Sequence, residues 1–262
     1  MKVIVTGSEG FIGKVLCQEL VKRGMEVIGI DRKKGTEATK VVELVNQGGI
    51  DGVFHLAAQT SVFNGNLTQI RKDNIDTFIK IADVCNQKNV KLVYASSSTA
   101  FESNTTSMYG ISKHFDEQYA QCYCPDATGV RLHNVYGPNP RRHTLLWCLL
   151  NKETVTLYNE GENRRCFTYI TDAVEGLIYA FSCGEKLVNV VGSELMPVRT
   201  FAREVQCVHD VKLEFTSEKR KFDNPTQVVD SAIFLVPLSY KTVREGLREI
   251  MKAEAQKAEK AE

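Results

Sequence analysis

The chain has 262 residues, 43% hydrophobic and 25% charged, a composition that builds an ordinary globular core and lies outside the disordered and fibrous classes. A formal net charge of +1 gives no general attraction to nucleic acid or an anionic membrane, and no apolar run is long enough to span a bilayer. The eight cysteines include no pair at zinc or redox spacing and the five histidines show no ligand spacing, so no metal site is expected and the thiols read as reduced, in a cytoplasmic protein.

The first predicted element is a strand over 2–5 that runs straight into Thr6-Gly7, too short for a secretory signal. Phe11, Ile12, Val15, Leu16 and Leu20 then recur at helical spacing, and Gly24 closes that helix. A strand over 27–30 ends at Asp31, a weaker helix covers 38–46, and a third strand covers 53–56. Ile70, Ile75, Phe78, Ile79, Ala82 and Cys85 mark one face of a long helix. A strand over 90–94, a helix over 107–123 and a strand over 128–132 follow. Short apolar strands alternating with helices predict an α/β fold, a doubly wound parallel sheet covered on both faces. The second half is more mixed, with a helix over 144–150, strands over 155–157 and 187–190, and helices over 172–181 and 198–208. A last helix over 240–253 fades into AEAQKAEKAE, which has no apolar face and reads as a frayed end. The division expected is a nucleotide-binding domain over 1–158, a smaller substrate lobe over 159–254 and a charged tail over 255–262, with segments near 167–190 returning to the first domain.

Thr6–Gly13 reads TGSEGFIG, after a strand and opening a helix. Gly7 suits the tight turn, Gly10 the approach of backbone to a pyrophosphate, and Gly13 the close packing of helix on strand. The helix start offers N–H groups and a positive dipole end to phosphate. Asp31, at the end of the second strand, would accept hydrogen bonds from ribose hydroxyls and repel a 2′-phosphate, which favours NAD over NADP. Arg32 argues the other way, since an arginine there suits a 2′-phosphate.

Tyr109 and Lys113 form Y-x-x-x-K on a predicted helix, so both side chains share one face. A tyrosine hydroxyl is a poor base at neutral pH, and an ammonium one turn away stabilises its anion. Upstream, the strand ending at Ala95 runs into Ser96, Ser97, Ser98 and Thr99, hydroxyls at the carboxyl end of a sheet strand.

Together with HLAAQTS at 55–61, YASSS at 94–98, YGISK at 109–113, RLHNVYGP at 131–138, RRCFTYITDAVEG at 164–176, VNVVGS at 188–193 and REGL at 244–247, these segments resemble the extended short-chain dehydrogenase/reductase family. Within it they are similar to the NAD-dependent nucleotide-sugar epimerases and dehydratases, closest to the UDP-glucose 4-epimerase-like branch. The resemblance implies a Rossmann-type domain with a smaller α/β substrate lobe, and a homodimer joined through the helices near 70–87 and 107–123. It implies that Gly7, Gly10, Phe11 and Ile12 lie along the NAD pyrophosphate and Asp31 on the adenosine ribose, with Leu56, Ala57 and Ala58 lining the cofactor and Asn74 bracing it. Tyr109 would be the general base, Lys113 its partner and a ribose ligand, and Ser97 the hydrogen-bond partner of the sugar, with Ser98 in reserve. Asn134, Arg165, Arg220 and Asp223 would hold the diphosphate and nucleoside of a nucleotide-sugar substrate.

The chain also departs from the family pattern. The distance from Asp31 to His55 is short, so the third strand and its adenine-contacting acid are expected to be missing or reduced. Only twelve positions separate Ser97 from Tyr109, where the family carries a longer loop over the sugar. Phe101 and Glu102 replace the usual Tyr-Gly, and Cys166 replaces an Asp beside Arg165. The family's dehydratases and decarboxylases carry an acid just after the catalytic hydroxyl. Here those positions read Ser98-Thr99, which leaves C4 epimerisation as the expected reaction. The alternatives are a 4-keto-sugar reductase using NAD(P)H and a nucleotide-sensing binding protein without turnover.

Overall fold

The computed structural model describes residues 1–63 and 66–259. In chain order the elements are β1 (Lys2–Thr6), α1 (Phe11–Lys22), β2 (Glu26–Ile30), α2 (Lys40–Gln47), β3 (Gly52–His55), α3 (Leu67–Ile70), α4 (Thr77–Gln87), β4 (Lys91–Ser97), α5 (Met108–Tyr123), β5 (Thr128–Leu132), β6 (Val135–Tyr136) and α6 (Leu145–Asn151). They continue with β7 (Thr154–Leu157), β8 (Arg164–Cys166), β9 (Thr168–Tyr169), α7 (Ile170–Ala180), β10 (Leu187–Val190), β11 (Leu195–Pro197), α8 (Val198–Gln206), β12 (Lys212–Phe215), β13 (Phe234–Leu235) and α9 (Val243–Glu259).

The described residues divide into two compact units. The first comprises Met1–Leu132, Ala173–Val190 and Val228–Leu238, and the second His133–Asp172, Val191–Gln227 and Ser239–Glu262. The chain leaves the first unit after Leu132, earlier than position 158, and returns to it twice.

The first unit holds a seven-stranded sheet in the order β13-β10-β5-β4-β3-β1-β2. Its pairings are all parallel. β2 flanks β1 on one side and β3 on the other, so the winding reverses at β1, where an open α/β sheet leaves its ligand crevice at the carboxyl ends. The glycine turn follows that strand. β2 is the edge strand: among the described residues, the stretch between Asp31 and His55 adds α2 and no strand beyond it. Ile4, Val53, Leu92 and Tyr94 pack with Val41, Val45, Phe78, Ile81 and Ala120 from α2, α4 and α5. On the strands' other face, the Phe54 ring stacks on Phe181, just past α7, with centroids 5.4 Å apart. Both faces are covered, which is why these strands read as unbroken apolar runs instead of alternating ones.

The long helix predicted around 70–85 is interrupted. Between α3 and α4 the coil widens into a π turn over Arg71–Asp76. That turn buries two consecutive polar residues, Asp73 and Asn74.

In the second unit an aromatic cluster forms the centre. The Tyr136 ring meets Tyr169 and Phe201 edge-on, each at 5.4 Å, and Phe201 stacks on Phe167 at 4.0 Å. α9 opens with a capping box in which Thr242 Oγ1 accepts from Glu245 N–H at 3.3 Å and Glu245 Oε2 accepts from Thr242 N–H at 2.8 Å. The helix runs on to Glu259, so the stretch from 255 is helical where it was expected to fray, and 260–262 lie outside the described residues. Among the described residues no helix is long and apolar enough to cross a membrane.

Candidate active site

The turn after β1 is shaped by backbone proximity. Gly7 adopts φ +70°, and a methyl group there would sit 3.0 Å from Ala57 N. At Gly13 a methyl would lie 2.1 Å from Gly7 O, so helix and turn meet at a distance no side chain permits. Gly10 caps α1 without a side-chain bond, and the first turn, which holds Phe11 and Ile12, has no acid. The positive end of the helix is therefore open to an anion. Asp31 Oδ2 accepts from Glu9 N–H at 3.0 Å and Oδ1 from Lys33 N–H at 2.9 Å. An ionised carboxylate has further lone pairs beyond these two for ribose hydroxyls. A glycine cradle, an open helix start and an acid at the end of β2 fit NAD.

Thr6 Oγ1 accepts from Leu56 N–H at 3.1 Å and Ala57 N–H at 3.2 Å, which directs its own proton to His55 Nδ1 at 2.8 Å. His55 is buried. Burial, reinforced by the Lys113 ammonium, pushes its pKa down to about 3, so it stays neutral. Asn74 accepts from Gln59 N–H at 2.8 Å and donates to Gln59 O and Ser112 Oγ, both at 3.0 Å. It ties the loop continuing from Leu56, Ala57 and Ala58 to α5. Arg32 turns the other way: Nη1 lies 2.7 Å from Asp73 Oδ2, Nη2 engages Asp73 Oδ1, and Nε lies 2.8 Å from Glu37 Oε2.

The three serines at the end of β4 have different surroundings. Ser96 Oγ donates to buried Glu117, Ser97 Oγ accepts from Thr99 N–H at 3.2 Å and Thr99 Oγ1 at 2.9 Å, and the Ser98 carbonyl accepts from Asn104 Nδ2 at 2.9 Å. Ser97, the terminal residue of the strand, remains the candidate substrate partner. The short loop to Tyr109 is held by buried Asn104, which exchanges hydrogen bonds with Val228 at 2.7 and 2.8 Å. Ser107 Oγ caps α5 by accepting from Gly110 N–H at 3.3 Å. A methyl at Gly110 would lie 2.7 Å from Thr99 O, so glycine beside Tyr109 lets the helix start seat on the turn after Ser97.

One turn further along α5, Lys113 is 3% exposed, and its Nζ donates to Asp116 Oδ2 at 3.0 Å. Asp116 is fully buried, and burial raises its carboxyl pKa against the pull of Lys113. The sequence reading passed over this acid. The signal was available: 109, 113 and 116 repeat at helical spacing on one face.

The predicted substrate residues cluster in the second unit. Asn134, at φ +29°, donates from Nδ2 to Gln227 Oε1 at 2.6 Å and to Cys166 O at 3.2 Å. Arg165 forms an ion pair with Asp223 and donates to Asn224 O at 2.6 Å. Asn163 Nδ2 donates to the other oxygen of Asp223 at 2.9 Å. Arg220 lies 4.0 Å over the Tyr158 ring, a cation–π contact. Chain pairing explains the gathering: Arg164 N–H donates to Pro225 O at 2.7 Å and Gln227 N–H to Arg164 O at 3.1 Å, which lays 225–227 along β8. Tyr158, Asn163 and Gln227 were not singled out in the sequence, because only the folded chain brings them to Arg220, Asp223 and Asn134 respectively.

A parallel sheet with a dinucleotide turn at its reversal point and a tyrosine one turn before a buried lysine defines a nicotinamide-dinucleotide-dependent enzyme. The model of the NAD dependent epimerase/dehydratase family matches residues 3–191, and the chain belongs to that family. NAD is therefore its cofactor. An uncharacterised UDP-glucose epimerase of Bacillus subtilis, YtcB, is 29% identical, with 74% of this chain and 78% of the relative covered. The UDP-glucose 4-epimerase of Thermotoga maritima, solved with UDP-glucose, aligns at a TM-score of 0.84 and 20% identity over 98% of this chain and 100% of that one. The UDP-glucuronic acid 4-epimerase of Bacillus cereus, solved with UDP-glucuronic acid and NAD, aligns at a TM-score of 0.82 and 21% identity over 98% and 99%. These structures share the fold.

Proposed function

We propose that this protein interconverts C4 epimers of a nucleotide-linked hexose, most simply a UDP-hexose, through a transient 4-keto sugar. The observation that carries this reading is Tyr109, one helical turn before buried Lys113, on a helix seated against the turn that follows Ser97. Bound NAD supplies a reversible hydride acceptor. Tyr109 Oη takes the proton of the sugar hydroxyl and later returns it. Lys113 holds a positive charge one turn away that stabilises the phenolate. Ser97 Oγ orients the sugar oxygen. Asn134, Arg165 and Arg220 bind the nucleotide diphosphate, and Asp223 accepts from the nucleoside ribose. The two positions directly after Ser97 are Ser98 and Thr99 and carry no acid, which supports epimerisation over water elimination or decarboxylation. The names of the relatives support the same sugar class. Arg32, pulled toward Asp73, gives no support to an NADPH-dependent reductase.

The test is to incubate the protein without added cofactor with UDP-glucose, UDP-galactose, their N-acetyl forms and UDP-glucuronic acid, and to separate the products. Appearance of one 4-epimer from the other is the expected result. No product from any donor, with NAD shown to be bound, refutes the reading.

We also propose a homodimer. Ile111, Phe115, Tyr119 and Tyr123 follow one another every four residues on α5. Ile111 and Tyr123 are exposed, and the three rings contact in sequence at 5.9 and 4.9 Å. Such a stripe on one helix suits a two-fold interface. Sedimentation equilibrium returning only the 29.4 kDa monomer would sink this part. All eight cysteines are free, which supports a reducing, cytoplasmic setting. Synthesis of polysaccharide precursors is the role such a reaction serves.

A further inference from the structure

Directly after Asp31 the chain places Arg32, Lys33 and Lys34. A dinucleotide carrying a 2′-phosphate needs a cation at this end of β2, and an arginine is the usual partner. On sequence, Asp31 favours NAD, and Arg32 is the residue that argues for NADP. The folded chain occupies those cations with acids and a carbonyl. Arg32 is gripped at both terminal nitrogens by Asp73 and at Nε by Glu37. Lys34 Nζ lies 2.7 Å from Glu9 Oε1, and Lys33 Nζ donates to Glu9 O at 3.2 Å.

Arg32 is itself exposed, but its grip has a buried anchor. Asp73 sits in the π turn, 41 positions along the chain and only 6% exposed. Gln59 Nε2 donates to its Oδ2 at 2.8 Å, and neighbouring Asn74 fixes the backbone of Gln59. The Arg32 guanidinium beside Asp73 holds its carboxyl well below the usual range, so the pair stays ionised throughout the neutral region.

We propose that Asp73 sets the cofactor preference of this protein: by fixing and neutralising Arg32 it withholds that cation from a 2′-phosphate, so that NAD is bound and NADP is not. Asp31 adds its own repulsion, but Asp73 decides whether the adjacent arginine can offset it. The inference rests on the dinucleotide site and not on the proposed sugar reaction.

The experiment is calorimetric titration of NAD and NADP into the wild-type protein and into Asp73→Asn, Arg32→Ala and the double variant, with no sugar present. Asparagine keeps the shape of Asp73 and a hydrogen bond to Gln59, and removes the charge. Asp73→Asn is expected to tighten NADP about tenfold and to change NAD by less than about threefold. Arg32→Ala alone should leave NADP within about twofold of wild type, because the arginine is already withheld. In the double variant the gain should disappear. No gain in Asp73→Asn, or a gain that survives loss of Arg32, overturns the proposal. Glu37→Gln, at an exposed side chain, is the second route: it releases Arg32 Nε and should give a smaller NADP gain, again dependent on Arg32. Sugar interconversion plays no part in these titrations, so the catalytic reading stands or falls separately.

Discussion

Replacing Tyr109 with phenylalanine is expected to lower turnover by roughly 10²- to 10⁴-fold, the range for loss of a positioned general base. NAD affinity and thermal midpoint should stay near wild type. The substitution removes one oxygen from a half-buried ring and leaves the structural bonds of the helix start alone. Ser107 still accepts from Gly110 N–H, Ser112 still donates to the carbonyl of residue 109 at 2.8 Å, and Lys113 keeps Asp116. The check is kcat for epimer interconversion alongside calorimetric NAD binding and a melting curve. Turnover within about threefold of wild type would remove Tyr109 from the mechanism. Lys113→Met is a weaker probe of the same idea. It strips a buried carboxyl of its partner, so lost activity would be mixed with lost stability.

The second large effect concerns stability. Arg131→Met is expected to destabilise the first unit by about 3–5 kcal/mol, the cost of breaking a buried ion pair by removing one member. Arg131 is 6% exposed at the end of β5. Its Nε and Nη2 lie 2.8 and 2.7 Å from the two oxygens of buried Glu117, and Nη1 lies 2.9 Å from Asp230 Oδ2. Ser96 donates to the same glutamate. Without the guanidinium, Glu117 keeps one hydroxyl, and Asp230 loses its side-chain tie to β5 while its carbonyl still accepts from Asn189. Replacing Glu117 with Leu and Asp230 with Asn in the same chain should recover part of the loss, because the stranded charges are gone. Urea unfolding followed by circular dichroism reads both. A single-variant loss below about 1 kcal/mol would show the network to be dispensable.

Much of the first unit was legible because its signals are local. A strand ending in TGSEGFIG, an acid after the second strand, and the Y-x-x-x-K helix each need fewer than a dozen consecutive residues. The edge position of β2 was likewise readable from the short distance between Asp31 and His55. What escaped depends on contacts between distant positions or on very short elements. β6, β9 and β13 are two residues each and carry no period. The π turn at Arg71–Asp76 left the apolar spacing of its helix nearly intact. The partner of Arg32 escaped for the same kind of reason. It lies 41 positions away, and no local pattern announces a bidentate grip. In the second unit, Arg165 and Asp223 were expected to meet phosphate and ribose separately. In the folded chain they pair with each other, a preorganisation that spacing alone does not reveal.

The π turn also makes the length of this helix matter more than its composition. An α-helix advances by roughly 100° per residue. Deleting one residue from Arg71–Asp76 would let the coil close to the ordinary pitch; the steps then left between Ile70 and Phe78, at roughly 100° each, keep those two fully buried side chains on one face, and what is lost is the wide turn that seats Asp73 and Asn74. As this chain diverges, substitutions in the stretch can accumulate, while a one-residue gap would unseat Asp73 and Asn74 together. Alignments that score such a gap as a minor event will misjudge it.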